Sequence, residues 1–310
     1  MNITIVGAGA VGGYFGGRML EAGLDVTFLV REKRAEQLRA TGLRLRSYYG
    51  DAELHNASLA LHADEIKACD LVIVAVKNYQ LPAVIDSIRN LVERGALVLP
   101  LLNGVEHFEV LKQAFGEAAV LGGMCQVIAT LDEEGAIVQI GQAQEMVFGP
   151  LSPGQEPVAQ ALSEACAGAK MRAMYREDIL AQIWQKYAFI TAFSGITTAS
   201  RLTIGPVIAC DASREVFHRV LTEMTELAAA NGVPLPEGFA EQTVGRMSKL
   251  PGESTSSMHK DFLKGLPLEV ESLQGGALRM AAGTGILLPT VSTLYGLIKP
   301  FESGSTPNKA

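Results

Sequence analysis

Ile3-Thr4-Ile5-Val6-Gly7-Ala8-Gly9-Ala10-Val11-Gly12, near the amino terminus, is the stretch whose reading decides the fold. Four consecutive β-branched residues favour a strand. A G-x-G-x-x-G run follows at once, and Val11 to Ala22 reads as a helix closed by Gly23. In a strand–turn–helix each glycine has a distinct task. Gly7 permits the tight turn, Gly9 lets the backbone approach a pyrophosphate, and Gly12 lets helix and strand pack closely. The helix amino terminus offers N–H groups that lack intrahelical partners and a partial positive charge, which suits phosphate. Gly7, Ala8, Gly9, Ala10, Val11 and Gly12 are therefore candidate dinucleotide contacts. The competing reading, a glycine-rich turn with no ligand, fits the strand and helix on either side poorly.

Working outward, Val26 to Val30 reads as a second strand and Glu32 to Ala40 as a second helix. Leu71 to Val76 is an uninterrupted apolar run, as expected of a strand covered on both faces. Gln80 to Val92 is helical in pattern, and Ala96 to Leu102 is strand-like. This alternation predicts an α/β domain with a parallel, doubly wound sheet of Rossmann type. Beyond Ala118 the runs Gln126 to Thr130, Ala136 to Ile140 and Glu145 to Phe148 read as later, antiparallel strands of the same sheet. A helix over about Pro157 to Ala167 and a last strand at Met171 to Tyr175 follow. After Arg176 only helices fit: Asp178 to Ser200, Ser213 to Asn231, Glu237 to Lys249, Ser256 to Leu263, Glu269 to Ala282 and Pro289 to Phe301. The expectation is two domains, residues 1–176 and an all-α domain over residues 177–310. The Ser-, Gly- and Pro-bearing tail from Glu302 reads as loose.

Composition narrows the function classes. Of 310 residues, 48% are hydrophobic and 19% charged, ample for a buried core. A formal net charge of −7 argues against nucleic acid or an anionic membrane as the main partner. Cys69, Cys125, Cys166 and Cys210 form no C-x-x-C pair, and the histidines show no metal-ligand spacing, so no metal site is expected. The first residues lack a basic region ahead of the apolar run, and no stretch of about 18 apolar residues occurs. A cytoplasmic protein with reduced thiols is the expectation. Oligomeric state is open, a homodimer included.

The ends of the strands choose among cofactors. An acidic residue after the second strand would hold the ribose hydroxyl of NAD; here Val30 is followed by Arg31, with Lys33 and Arg34 close behind. Arg31 can pair with a 2′-phosphate, which puts NADP(H) ahead of NAD(H), although the same residues also suit a solvated first helical turn. Lys77 and Asn103 close later strands, where ligands of open sheets bind. Each also has a plain reading, as a charged strand end and as a turn residue. In the second domain, Lys186 is the one charged residue between Ile179 and Ser200. A lone lysine on so apolar a helix either snorkels or has a partner, and spacing alone does not decide. Ser194 lies two turns on, along nearly the same face. The Ser254–Asp261 segment is the other polar cluster, and capping explains its serines without any function.

Taken in order, these residues resemble the ketopantoate reductase family over nearly the whole chain. The carriers are G-A-G-A-V-G at 7–12, V-K at 76–77, L-L-N-G at 101–104, W-Q-K at 184–186, S-S-M-H-K-D at 256–261, and Glu269. The resemblance implies a helical domain like that of 6-phosphogluconate dehydrogenase and an active site between the domains. It implies Lys186 as the catalytic lysine that protonates the nascent alkoxide. Glu269 would contact the substrate hydroxyl and Ser257 its carboxylate, with Asn103 between nicotinamide and substrate. Lys77 and Arg31 would contact the cofactor. The chain departs where family members carry asparagines four and eight residues beyond the lysine: here stand Ile190 and Ser194. Ser194 can still bind substrate, whereas Ile190 cannot hydrogen-bond. Gln274-Gly275 likewise replaces a frequent Asn-Gly.

The implied activity is NADPH-dependent reduction of 2-dehydropantoate to pantoate, a step towards pantothenate. The substrate departures keep a second reading open, reduction of another branched or hydrophobic 2-oxo acid. A third is a dinucleotide-binding regulator without catalysis, marked by tight NADPH binding and no turnover.

Overall fold

The computed structural model describes residues 1–304; the end of the tail read as loose lies outside them. The chain forms two compact units. The first comprises Met1–Leu102 and His107–Ile179, the second Asn103–Glu106 and the residues from Leu180 onward.

Among the described residues ten strands lie in the first unit: β1 (Asn2–Val6), β2 (Asp25–Leu29), β3 (Leu43–Arg46), β4 (Ala52–Leu54), β5 (Ser58–Ala60), β6 (Leu71–Val74), β7 (Leu97–Pro100), β8 (Gly122–Leu131), β9 (Ile137–Gly149) and β10 (Arg172–Tyr175). Five of them form one sheet in the order β5-β2-β1-β6-β7, every pair parallel. The order reverses at β1, so the glycine turn that follows β1 sits at a switch point, where open sheets bind ligands. The interior strand β6 is buried at all four positions, as the apolar run predicts.

The later strands correct the sequence reading. They do not extend the first sheet but build a second one, in the order β10-β9-β3-β4, with β8 antiparallel to β9. The runs at 136–140 and 145–148 are a single strand, β9, whose pairing with β8 shifts register between Val127 and Ala129. The reason for two sheets lies in the first helix, α1 (Ala10–Glu21), which touches both. Its glycines fall as pairs four residues apart, at 12/13 and 16/17, and so line two faces. A Cβ on Gly16 would lie 2.6 Å from Phe28 of the first sheet, and one on Gly13 would lie 2.4 Å from Ile137 of the second. The helix is the filling of a sandwich and has little room for side chains on either flat face. Its one cation, Arg18, is fully buried. Arg18 donates to the Glu21 carboxylate (2.6 Å) and to Gly50 O (2.7 Å), and it stacks over Tyr14.

Four more helices follow in chain order: α2 (Glu32–Thr41), α3 (Leu81–Glu93), α4 (Glu106–Phe115) and α5 (Glu156–Ala165). In the second unit come α6 (Ile179–Ser200), α7 (Ile204–Ala209), α8 (Asp211–Ala230), α9 (Phe239–Met247), α10 (Ser257–Leu263), α11 (Gly276–Thr284) and α12 (Pro289–Ile298). Phe217, Val220, Leu221, Met224 and Leu227 form the fully buried stripe of α8. At about 1.5–3 kcal/mol for each such side chain, this stripe is a main source of the unit's cohesion. Glu223 on the same helix accepts from the backbone N–H groups of Thr290 (2.8 Å) and Val291 (2.9 Å), which satisfies the amino end of α12.

The helix expected over 269–282 is instead composite. Its first part, Glu271–Gly275, is a π-helical turn in which Gly275 N–H reaches back five residues to Val270 O (2.9 Å). No helix among the described residues is long and apolar enough to cross a membrane.

Candidate functional site

In the first unit the glycine turn has the geometry that the sequence demands. Gly7 has φ +92°, a left-handed value that side chains resist, and a Cβ there would press on Val76 at 2.9 Å. A Cβ on Gly12 would lie 2.0 Å from the Gly7 carbonyl oxygen, so no larger residue fits without moving the backbone. A Cβ on Gly9 would meet nothing within 4 Å. The turn is therefore crowded on its protein side and open at Gly9, which is the cap residue of α1. The N–H groups of the first helical turn point into that opening without intrahelical acceptors. This cradle fits a diphosphate.

Arg31 is exposed and caps α2 with extended backbone (φ −74°, ψ 154°). Lys77 is half-buried at the start of a short 3₁₀ turn, where its N–H donates to Gln80 Oε1 (3.2 Å). Arg34 is nearer to the glycine turn than the sequence suggests. Its Nε donates to Ala8 O (2.9 Å), and its Nη1 donates to Gly135 O (2.9 Å) and Gln37 Oε1 (2.6 Å). All three acceptors are neutral, and burial pushes the guanidinium pKa down. Arg34 thus braces the glycine turn through neutral acceptors.

In the second unit, α6 is mostly apolar, with Ile183, Trp184, Tyr187, Ala188 and Ala192 buried. Lys186 is half-buried and does have a partner: Nζ donates to Asn103 Oδ1 at 3.0 Å. The two residues are 83 positions apart, and both lie in the second unit. An amide oxygen orients an ammonium without neutralising it, which leaves the charge available to a developing oxyanion. Ser194 is buried two turns along α6, and Ile190 is half-buried one turn along. Glu269 is buried just ahead of the π-turn, where its carbonyl accepts from Ser272 and Leu273.

The serine pair of the S-S-M-H-K-D segment divides its tasks. Ser256 is buried, caps α10 by accepting from His259 N–H (3.1 Å), and shares a 2.9 Å hydrogen bond with Thr197. Ser257, the predicted substrate contact, is the exposed first residue of α10. His259 Nδ1 pairs with the Thr255 hydroxyl at 2.6 Å, and burial lowers the imidazole pKa.

Sequence reasoning missed an ion-pair cluster in the second unit. The Glu106 carboxylate takes both prongs of Arg279, from Nε at 2.9 Å and Nη2 at 2.7 Å. Arg279 Nη1 also bonds Glu271 (2.6 Å), which Tyr295 and Lys299 reach as well. Burial opposes ionisation of Glu271, but hydrogen bonds from Lys299, Tyr295 and Arg279 outweigh it and hold its pKa down to about 2. Among the described residues no group of three or more His, Cys, Asp or Glu side chains is placed to hold a metal ion.

A parallel sheet with a glycine cradle at its switch point, joined to a helical unit with an oriented ammonium, is the build of a dinucleotide-dependent oxidoreductase. The chain belongs to the ketopantoate reductase family. The family model described as ketopantoate reductase PanE/ApbA matches residues 3–153, and the one for its C-terminal part matches residues 178–302. An uncharacterized oxidoreductase, YkpB, of Bacillus subtilis is 35% identical over 98% of this chain and 99% of its own. A 2-dehydropantoate 2-reductase of Archaeoglobus fulgidus is 31% identical over 98% of each chain. A ternary structure of D-mandelate dehydrogenase with NADH and anilino(oxo)acetate superposes with a TM-score of 0.87, covering 97% of this chain and 98% of that one; at 21% identity it shows the fold alone.

Proposed function

We propose that this oxidoreductase reduces a small 2-oxo acid with a nicotinamide dinucleotide, NADPH ahead of NADH, and that 2-dehydropantoate is its first substrate. The observation that carries the reading is the Lys186 ammonium held by the neutral Asn103 amide on an otherwise uncharged helix. Gly7 to Gly12 would hold the diphosphate, with Arg31 on the 2′-phosphate and Lys77 as a further contact. A dinucleotide held there would supply the hydride that reduces the carbonyl carbon of the oxo acid. Negative charge then builds on the carbonyl oxygen. Lys186 stabilises that charge and transfers one proton to it, so that the ketone becomes a hydroxyl and the lysine regains a proton from solvent. Asn103 keeps Nζ aimed, Glu269 contacts the hydroxyl, and Ser257 and Ser194 bind the carboxylate end. The reaction needs no metal-ligand set. We take the protein to be cytoplasmic, with a homodimer admissible and neither nucleic acid nor membrane as partner.

The test is turnover of NADPH, followed by its absorbance, against a panel of 2-oxo acids. The expected result is fastest turnover with 2-dehydropantoate. A second reading is favoured by Ile190, which presents a half-buried apolar side chain one turn from Lys186. On that reading another branched or hydrophobic 2-oxo acid outruns 2-dehydropantoate. Absence of turnover with every member of the panel, alongside tight NADPH binding, would leave only a non-catalytic role.

Cofactor choice gives a separate expectation. Arg31→Ser should weaken NADPH binding about 10-fold or more, the scale of one lost charge-assisted phosphate contact. NADH, which lacks that phosphate, should bind as before. Calorimetric titration of both dinucleotides decides, and equal losses for the two would remove Arg31 from the phosphate site.

A further inference from the structure

The Lys186–Asn103 contact joins residues from two separate segments, and the π-turn at Glu271–Gly275 is fastened to both. On the Asn103 side, Gly104 has φ +89° and packs so closely on the turn that a Cβ would stand 2.6 Å from Ser272 O. Two residues further on, Glu106 is gripped by both prongs of Arg279. On the Lys186 side, the next residue, Tyr187, donates its hydroxyl to Leu273 O (2.7 Å). One turn beyond, the Thr191 carbonyl accepts from Gln274 Nε2 (2.8 Å). A π-turn leaves backbone carbonyls outside the regular helical ladder, and this one spends them on these ties: Leu273 O serves Tyr187, and Glu271 O serves Arg279 (2.7 Å). Arg279 thus holds the Asn103 loop through Glu106 and the π-turn through two atoms of Glu271.

We propose that Arg279 is a positioning residue that sets the register of Asn103 against Lys186, acting through Glu106 on one side and the π-turn on the other. The inference rests on the reading of Lys186 as the proton donor. Its motive is geometric. Arg279 is half exposed, and ion pairs at that exposure add little to global stability. A planar fork that fixes two carboxylates at once supplies orientation instead, which a lysine in its place cannot. An acid displaced by a fraction of an ångström loses rate while ligand binding survives.

Arg279→Met and the charge-conserving Arg279→Lys test this. Both should lower kcat about 10-fold or more, the scale of a modest misplacement of a catalytic group. NADPH affinity should stay within about twofold and the thermal midpoint within a few degrees. Glu106→Gln should lower kcat in the same direction, and its effect should not add to that of Arg279→Met, because the two share one contact. In a Lys186→Ala background, Arg279→Met should leave the residual turnover unchanged. The same fold-loss in both backgrounds, or an unchanged kcat in all these variants, overturns the proposal. A crystal structure of Arg279→Lys gives a readout that needs no activity. The proposal expects Nζ of Lys186 and Oδ1 of Asn103 to part beyond hydrogen-bonding distance, and persistence at the original separation overturns it. If Lys186→Ala alone keeps full turnover, the proton-donor reading fails, while that separation still reports on Arg279 independently.

Discussion

Replacing Lys186 by alanine should abolish most turnover and leave the protein folded. The expected loss in kcat is about 10³-fold, within the 10²–10⁴ range of a positioned general acid, and corresponds to about 4 kcal/mol of transition-state stabilisation. The reasoning starts from charge. Reduction moves a full negative charge onto the carbonyl oxygen, and α6 offers one cation along its length to receive it. Asn103 presents that cation without cancelling it. Lys186→Met, which keeps the bulk of the stem and drops the charge, should match Lys186→Ala. Agreement between the two would assign the loss to the ammonium and not to a cavity. NADPH affinity should change little, because the cradle at Gly7 to Gly12 is built by other residues. Stopped-flow single turnover with saturating NADPH separates chemistry from product release. Turnover in either variant within a few-fold of the parent would end the acid assignment.

What the sequence disclosed follows the range of the forces involved. The glycine turn was legible because its sterics act within ten residues: the Gly7 φ and the Gly12 clash are local facts. The helices of the second unit were legible because the buried stripe of α8 repeats every three or four residues. The second sheet was not legible, since β3 pairs with β9 through Leu45 and Ile137, more than ninety residues apart. The pattern of Gly13 and Gly17 did carry a trace of it. Glycines on a second face of α1 announce a second surface to pack against, and they were read only as part of one helix. The strands β3, β4 and β5, four, three and three residues long, are too short to show alternation. Helix α4 buries His107, Phe108 and Leu111, too few apolar positions to set a helical period in the sequence. At the candidate site, Lys186 and Asn103 were each nameable, but their contact was not. Ser256 and Ser257 illustrate the same limit at the shortest distance. One caps a helix and one is exposed, and only the backbone direction at the start of α10 separates them. The Glu106–Arg279 fork spans 173 residues and left no local signal at all.

Gly9 and Gly12, three residues apart, should part company when mutated. Gly12→Ala places a methyl 2.0 Å from the Gly7 carbonyl oxygen, and neither the strand end nor the helix can yield without opening the packing of Ile5 and Ala75. The cost should exceed about 3 kcal/mol, beyond ordinary overpacking because the obstructing atom is backbone. Set against a typical stability of about 5–15 kcal/mol, that lowers the thermal midpoint by many degrees or prevents folding. Gly9→Ala behaves oppositely. Its φ of −80° and ψ of −159° suit any L-residue, and its Cβ meets nothing within 4 Å. Alanine is a poorer helix cap than glycine by about 0.5–1 kcal/mol, and its stiffer unfolded chain offsets about 0.4–1 kcal/mol of that. The fold should therefore stay within a few degrees of its melting point. The space that the methyl takes is nevertheless the space where a diphosphate would meet the backbone, so NADPH affinity should fall about 100-fold or more, roughly 2.7 kcal/mol. Calorimetric melting paired with dinucleotide titration distinguishes the two residues. Unimpaired NADPH binding by a well-folded Gly9→Ala would place the dinucleotide somewhere other than this turn. A Gly12→Ala protein as stable as its parent would mean that β1 and α1 are not packed against each other as closely as the structure has them.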